Sequence, residues 1–238
     1  MPRKQGLPAR LATASRWPVG VALTSWRYLW RTTPLYRDEV QGSLKGDSPP
    51  PLPAGLERSD VQTPEQGSGP LFRRRYRVRI RDSKLSADEL VQRVAAQPDS
   101  VAPSEFATFR KLAGAGDEMR VNDEYVVRMA GPWDGPVRVA KREGAMFRLV
   151  TLRGHLEAGQ IEFRACHEDG VVVFEIESWA RSKDRFTDLL YDRLRMSKEV
   201  QLHMWTSTLE RVAELSSGRR SGGIEIHTRK VEASAFDE

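Results

Sequence analysis

His155 and Glu157 are two residues apart in the run Thr151–Leu152–Arg153–Gly154–His155–Leu156–Glu157–Ala158–Gly159. An imidazole titrates near neutrality, and a carboxylate beside it biases its charge. The pair is therefore a candidate acid–base couple at the mouth of a cavity. It also has a purely structural reading, in which Gly154 and Gly159 supply turn geometry and His155 ties the loop down. Glu162, Glu175 and Glu177 are a second acidic group, on segments that alternate with apolar residues. Lining a cavity, paired carboxylates would serve general acid–base catalysis. On the outer face of a sheet they would be solvated and salt-bridged to arginines of a neighbouring strand. Ser197 and Gln201 lie one turn apart on an otherwise apolar helical stripe. They either orient a ligand, bond to a strand or face water, because a buried amide without partners costs about 1–3 kcal/mol.

Other chemistries lack their residues. His155, Cys166, His167 and His203 do not have metal-ligand spacing, so neither a metal nor a cofactor is expected. No phosphate-binding glycine loop, dinucleotide fingerprint, GxSxG or HExxH occurs. Cys166 is the single cysteine, which rules out an internal disulfide and predicts a reducing, cytoplasmic compartment. With no His or Asn motif beside it, Cys166 reads as a small core residue.

The elements that must position these groups follow from periodicity. Leu71–Arg81 alternates strictly, with Arg73, Arg75, Arg77, Arg79 and Arg81 on one face and Arg74, Tyr76, Val78 and Ile80 on the other. Period two predicts a half-buried strand. The ladder of arginines would attract phosphate, but no aromatic residues interleave on its face, so nucleic acid is not an expected partner. Ser86 and Glu89 form a capping box that opens a helix, and a second short helix is expected over Glu105–Leu112. Five strands follow: Glu124–Met129, Val137–Arg142, Ala145–Leu152, Ile161–His167 and Val171–Ala180, separated by turn residues. Connections this short leave no room for crossover helices, so the strands form an antiparallel meander. Residues 183–216 then read as one helix, roughly 50 Å long at ~1.5 Å per residue. The economical packing is α+β: a curved antiparallel sheet wrapped around a long C-terminal helix.

The flanks differ in composition. Residues 1–16 read as a disordered basic tail, 41–70 as a Pro/Gly-rich linker between an appendage and a domain spanning 71–217, and 218–238 as a polar tail, with a short strand conceivable at Ile224–Thr228. Residues 1–37 hold seven Arg or Lys and no Asp or Glu, which implies an anionic partner. Within 17–40, Trp26, Arg27, Trp30 and Arg31 suit a short amphipathic helix capped by Ser25 and ended by Pro34. That helix either contacts a membrane surface or protein partner, or docks on its own domain. The longest apolar run, Trp17–Leu23, is too short to span a bilayer and does not read as a secretory signal.

Three segments also carry a family resemblance: GPWDGPVRV from Gly131, TLRGHLEAGQIEFRA from Thr151, and SWARSKDRFTDLLYDRLRMSKEVQLHMW from Ser178. Together they resemble the domain-of-unknown-function family nineteen-ninety, and its actinobacterial branch in particular, over about residues 71–215. The upstream SWRYLWRTTPLYR segment fits too. The motif departs from the family at Leu156, where many members have Pro, and at Gln160, where Glu is frequent. The resemblance implies the START-like, SRPBCC helix-grip superfamily, whose members usually hold a hydrophobic small molecule between sheet and helix. On that basis the expected function is binding of a hydrophobic or amphipathic, lipid-like molecule, with Trp133, Phe147, Phe163, Met204 and Trp205 lining the groove and His155, Glu157, Ser197 and Gln201 supplying polar contacts. Two alternatives stay open. One is an enzyme of the same fold using His155 and Glu157 or a buried Glu. The other is an interaction or membrane-peripheral protein acting through residues 17–40.

Overall fold

A computed structural model of the chain describes residues 34–103, 107–116, 118–129, 134–183 and 196–236, apart from the side chains of 129 and 196–200. Ten strands among these residues join one mostly antiparallel sheet in the order β1-β10-β2-β8-β7-β6-β5-β4-β3, with β9 beside β2. The strands are β1 (Leu35–Gln41), β2 (Ser68–Arg81), β3 (Ala107–Ala113), β4 (Glu124–Met129), β5 (Asp134–Glu143), β6 (Met146–Thr151), β7 (Glu157–Glu168), β8 (Val171–Ser182), β9 (Arg219–Arg220) and β10 (Ile224–Val231). Three α-helical pieces accompany them among the described residues: the single turn α1 (Leu44–Asp47), α2 (Ala87–Ala96) and α3 (Met196–Leu215).

The meander β4 to β8 forms as its alternation and turn residues dictate, and β2 pairs with β8 to lengthen it. Alternate residues of each strand point to one face, so Val78, Ile80, Phe147, Phe163, Phe174 and Ile176 gather on the inner side with Leu209 and Val212 of α3. The capping box that opens α2 is made in full: Ser86 Oγ accepts the Glu89 N–H at 3.3 Å, and Glu89 Oε2 accepts the Ser86 N–H at 2.8 Å. Leu90, Val91 and Val94 bury the inner side of α2 in the same core.

The outer face is not a solvated surface. Cross-strand register sets Asp38, His227, Arg75, Glu177, Glu162 and Arg148 in one row from β1 to β6. Glu162 and Glu177 are direct neighbours, an arrangement that like charges would oppose. Arg164 resolves it by donating to both carboxylates, at 2.8 Å each. Arg73 Nε donates to Glu177 Oε1 at 2.7 Å, and Arg148 donates two hydrogen bonds to Glu162 Oε2. Burial by itself would raise the Glu177 carboxyl, but the Arg73 hydrogen bond and the charges of Arg75, Arg164 and Arg73 outweigh it and hold the group below the ordinary carboxylate value. Glu175 and Glu177 thus pair with the arginine ladder, and Glu162 with Arg148 and Arg164, as one of the two readings had it, but buried rather than in water.

The proline-rich stretch lies on this same outer face. Residues 42–66 are not a free linker: they strap across the outer face. Leu52, Leu56 and Val61 cover Ala140 and Val150, and Leu44 and Phe236 cover Leu71, Trp179 and Val231. Prolines lack an N–H, so the strap is tied by its carbonyls, a few side chains and the N–H groups of non-proline residues such as Glu57 and Gln62. Gln160 Nε2 donates to the Pro50 carbonyl at 3.0 Å, Arg138 Nη1 to that of Glu57 at 2.6 Å, and Arg73 Nη1 to that of Gly46 at 3.0 Å.

Three further expectations meet different outcomes. Residues 107–112 of the expected Glu105–Leu112 helix belong to β3, because pairing with β4 satisfies their backbone and a short apolar run does not by itself distinguish strand from helix. In the polar tail after Gly218 the strand conceived at Ile224–Thr228 does form and is longer, since β10 runs to Val231, inserts between β1 and β2 and buries Ile224 and Ile226. The expected helix over 183–216 is described only as the 20 residues of α3, and residues 184–195 lie outside the described part.

The strap yields a test. Leu56 is 5 % exposed and packs on Val150. Leu56→Ala is expected to lower the unfolding free energy by about 2–5 kcal/mol in urea titration, as for a core leucine. A flexible linker would show no change.

Candidate functional site

Two sets of groups meet between the sheet's inner face and α3: an apolar cavity and a polar cluster. The cavity has a volume of about 20 Å³ and is lined by Val94 of α2, Pro98, Val101 and Ala102 after it, Ala107 and Phe109 of β3, Phe147 of β6, Phe163 of β7, and Met204, Trp205 and Thr208 of α3. That is room for about one water molecule. The rings of Phe147 and Phe163 stack at 4.6 Å, and Trp205 meets Phe163 edge-on at 5.8 Å. The expected lining residues Phe147, Phe163, Met204 and Trp205 are therefore brought together, but they fill the groove instead of framing an open one. Trp133 lies outside the described residues. Thr208, the one polar side chain of the wall, satisfies itself by donating to the Met204 carbonyl at 2.9 Å.

The polar cluster lies one turn along α3. Gln201 Nε2 donates to Glu157 Oε1 at 2.7 Å, and Arg74 Nη1 donates to Gln201 Oε1 at 3.1 Å. One amide thus bridges a carboxylate on β7 and a guanidinium on β2, all three half-buried. Of the alternatives for Gln201, bonding to strands is the one observed. The backbone of Ser197 is in α3, and its side chain is outside the description. The polarity of Arg74 was visible in the sequence, where it shares a face with Tyr76, Val78 and Ile80; its role as partner of Gln201 was missed.

His155 is placed differently from Glu157. Its ring is buried, and Nδ1 accepts the Glu157 N–H at 2.9 Å, so a neutral ring carries its proton on Nε2. Gly135 makes room for it: a Cβ there would come within 2.8 Å of His155 Nε2. Gln62 of the strap completes the knot, donating to the His155 and Glu157 carbonyls at 3.2 and 3.1 Å and accepting the Gly154 N–H at 3.2 Å. Thr151 Oγ1 accepts the Gly159 N–H at 2.9 Å. Gly159 is needed for close approach, since its Cβ would fall 1.9 Å from the Trp179 carbonyl oxygen. The motif around His155 therefore holds a loop to the strap, and the His155 ring does not line the apolar cavity. Gln62 was missed because its partners are more than ninety residues away.

Trp26, Arg27, Trp30 and Arg31 lie outside the described residues. The end of their segment, Leu35–Val40, docks on its own domain as part of β1. Cys166, expected in the core, is exposed on β7; its partial burial and Glu168 push the thiol up from its ordinary value. Among the described residues no cluster of His, Cys, Asp or Glu is able to hold a metal, and no helix is long and apolar enough to cross a membrane.

Burial pushes the His155 imidazole below its ordinary value of 6.5, against the opposing effect of Glu157. Above that value folded and unfolded chains are both neutral here. Below it the unfolded chain gains a proton that the folded one resists, so stability falls. Melting temperature is expected to drop between about pH 7 and about pH 5, above the range where carboxylates titrate. His155→Asn, which keeps an acceptor near Nδ1, is expected to flatten that slope.

No curated protein sequence matches the chain. Several solved structures are similar in outline. Norcoclaurine synthase from Thalictrum flavum, in complex with dopamine and hydroxybenzaldehyde, gives a TM-score of 0.43 at 10% identity, over 71% of this chain and 96% of its own. A hypothetical protein from Helicobacter pylori gives 0.44 at 11%, over 61% and 87%. Protein Ms6760 from Mycobacterium smegmatis gives 0.39 at 10%, over 67% and 97%. These likenesses are distant and carry no functional argument. A family model, by contrast, matches residues 40–211, taking in the strap, strands β2 to β8 and most of α3. The chain belongs to the family described as domain of unknown function DUF1990.

Proposed function

We propose that this chain is a binding module for a hydrophobic or amphipathic small molecule, held in the cleft between the inner face of the sheet and α3. The observation that carries this reading is the wall of the cleft: aromatic and aliphatic side chains from five separate elements converge there, with no ionisable group among them. Such a wall suits an alkyl chain or ring and has nothing to offer a polar reaction. At about 20 Å³ the cavity admits a ligand only if Met204 and Trp205 turn aside. Met204 suits that movement, because an unbranched thioether repacks easily. The cleft is then a closed form that a ligand opens by taking the place of those side chains.

The acid–base reading is weaker. His155 is committed to the loop, and the buried Glu162, Glu175 and Glu177 are engaged by arginines on the opposite face of the sheet. A helix grip by the whole C-terminal segment, and a membrane or partner contact through residues 17–40, remain compatible extensions of the same reading.

Native mass spectrometry of the chain purified from its own host, and of the delipidated chain titrated with dodecanol, tests it. A one-to-one adduct is expected in both. Ala107→Leu, which fills the cavity wall, is expected to weaken the dodecanol adduct. Absence of any adduct with either preparation overturns the reading.

A further inference from the structure

We infer that the ligand of the cleft is an amphiphile with an anionic head, carboxylate or phosphate, and that Arg74 is the residue that selects it. The inference rests on the binding reading above and adds the chemistry of the head.

Four arginines of β2 on the outer face, Arg73, Arg75, Arg77 and Arg79, each have at least one carboxylate partner. Arg74 faces α3 and has none among the described residues. Its polar partner there is the neutral amide of Gln201, with the Phe72 ring 4.5 Å from the guanidinium carbon. A half-buried guanidinium held by an amide keeps most of its donors for a planar or tetrahedral anion. Arginine suits this task better than lysine, because its rigid fork matches carboxylate and phosphate oxygens two at a time.

The position is as informative as the charge. Gln201 and Trp205 are four residues apart on α3, so the polar cluster is about 6 Å along the helix from the cavity-lining indole. Glu157 and Phe163 share one face of β7, so strand and helix both lead from the polar cluster to the apolar cavity. A cation at one end and a dry aromatic wall at the other match an anionic head and an apolar tail. Glu157 does not oppose this arrangement directly, since the Gln201 amide stands between it and Arg74. An incoming anion takes the place of the Gln201 amide oxygen on Arg74 and leaves the Gln201 N–H bond to Glu157 in place.

The test compares two probes of equal chain length, dodecanoate and dodecanol, by isothermal titration of the full delipidated chain. Dodecanoate is expected to bind about tenfold or more tighter, the range of one charge-assisted hydrogen-bonded contact. Arg74→Gln is expected to abolish that preference and Arg74→Lys to keep part of it. Dodecyl phosphate in place of dodecanoate tells whether the head is read as carboxylate or as any anion. Equal affinity for dodecanoate and dodecanol in the unsubstituted chain overturns the inference while leaving the cleft as a binding site. So does a preference that survives in Arg74→Gln. Binding of neither probe overturns the cleft reading and this inference with it. The comparison in the unsubstituted chain decides the matter even if a variant does not fold.

Discussion

Glu177 is 1 % exposed, near the middle of a ten-stranded sheet, and must remain charged there. A buried carboxylate is tolerable only where several donors converge on it, since desolvation costs more than a single ion pair returns. Arg73, Arg75 and Arg164 supply that convergence from β2 and β7, and the same arginines reach on to Asp47, Glu175 and Glu162. The outer face is thereby turned from a liability into a platform. Its charges cancel within the plane of the sheet, so an apolar and carbonyl-rich strap is able to lie across it.

With the outer face closed by the strap, the inner face is left to α2 and α3. The two sides are built from different materials. Outside, ion pairs and backbone carbonyls set the order of strands and their register. Inside, contact is mostly apolar, apart from Arg74, Gln201 and Glu157 and the hydrogen bond from Arg211 to the Ala102 carbonyl. Apolar packing has no directional bonds to break, so the face that carries α3 is the one able to rearrange around a guest. The polar bridge to Gln201 gives that rearrangement a fixed point.

Much of the central sheet was legible in the sequence, because its signals are local. Strict alternation marked β2, Ser86 and Glu89 marked the start of α2, and turn residues separated β4 to β8. The strap was not legible. Its anchors join residues such as Gln62 and His155, or Asn122 and Gly55, that are far apart in the chain, and prolines and glycines have no period that would reveal a docked surface. The polar part of the candidate site was half legible. Gln201 stood out as an interruption of an apolar stripe, but its partners on β2 and β7 depend on a sheet order that no window of sequence contains. The placement of His155 also escaped, since a histidine between glycines reads alike whether its ring lines a cleft or is tied into a loop.

The pairing of β1 with β10 has a consequence for how the molecule is made. Residues 35–41 leave the ribosome early and residues 224–231 late, yet each is the other's neighbour, in parallel register. Until β10 arrives, β2 has no strand on that side and β1 has nothing to join. Closing a loop of this length is slow relative to the local hairpins of β4 to β8, so the nascent chain passes through a state with a bare sheet edge. Such an edge invites pairing with other chains. The arginines that line β2 help to keep that waiting edge from finding the wrong strand.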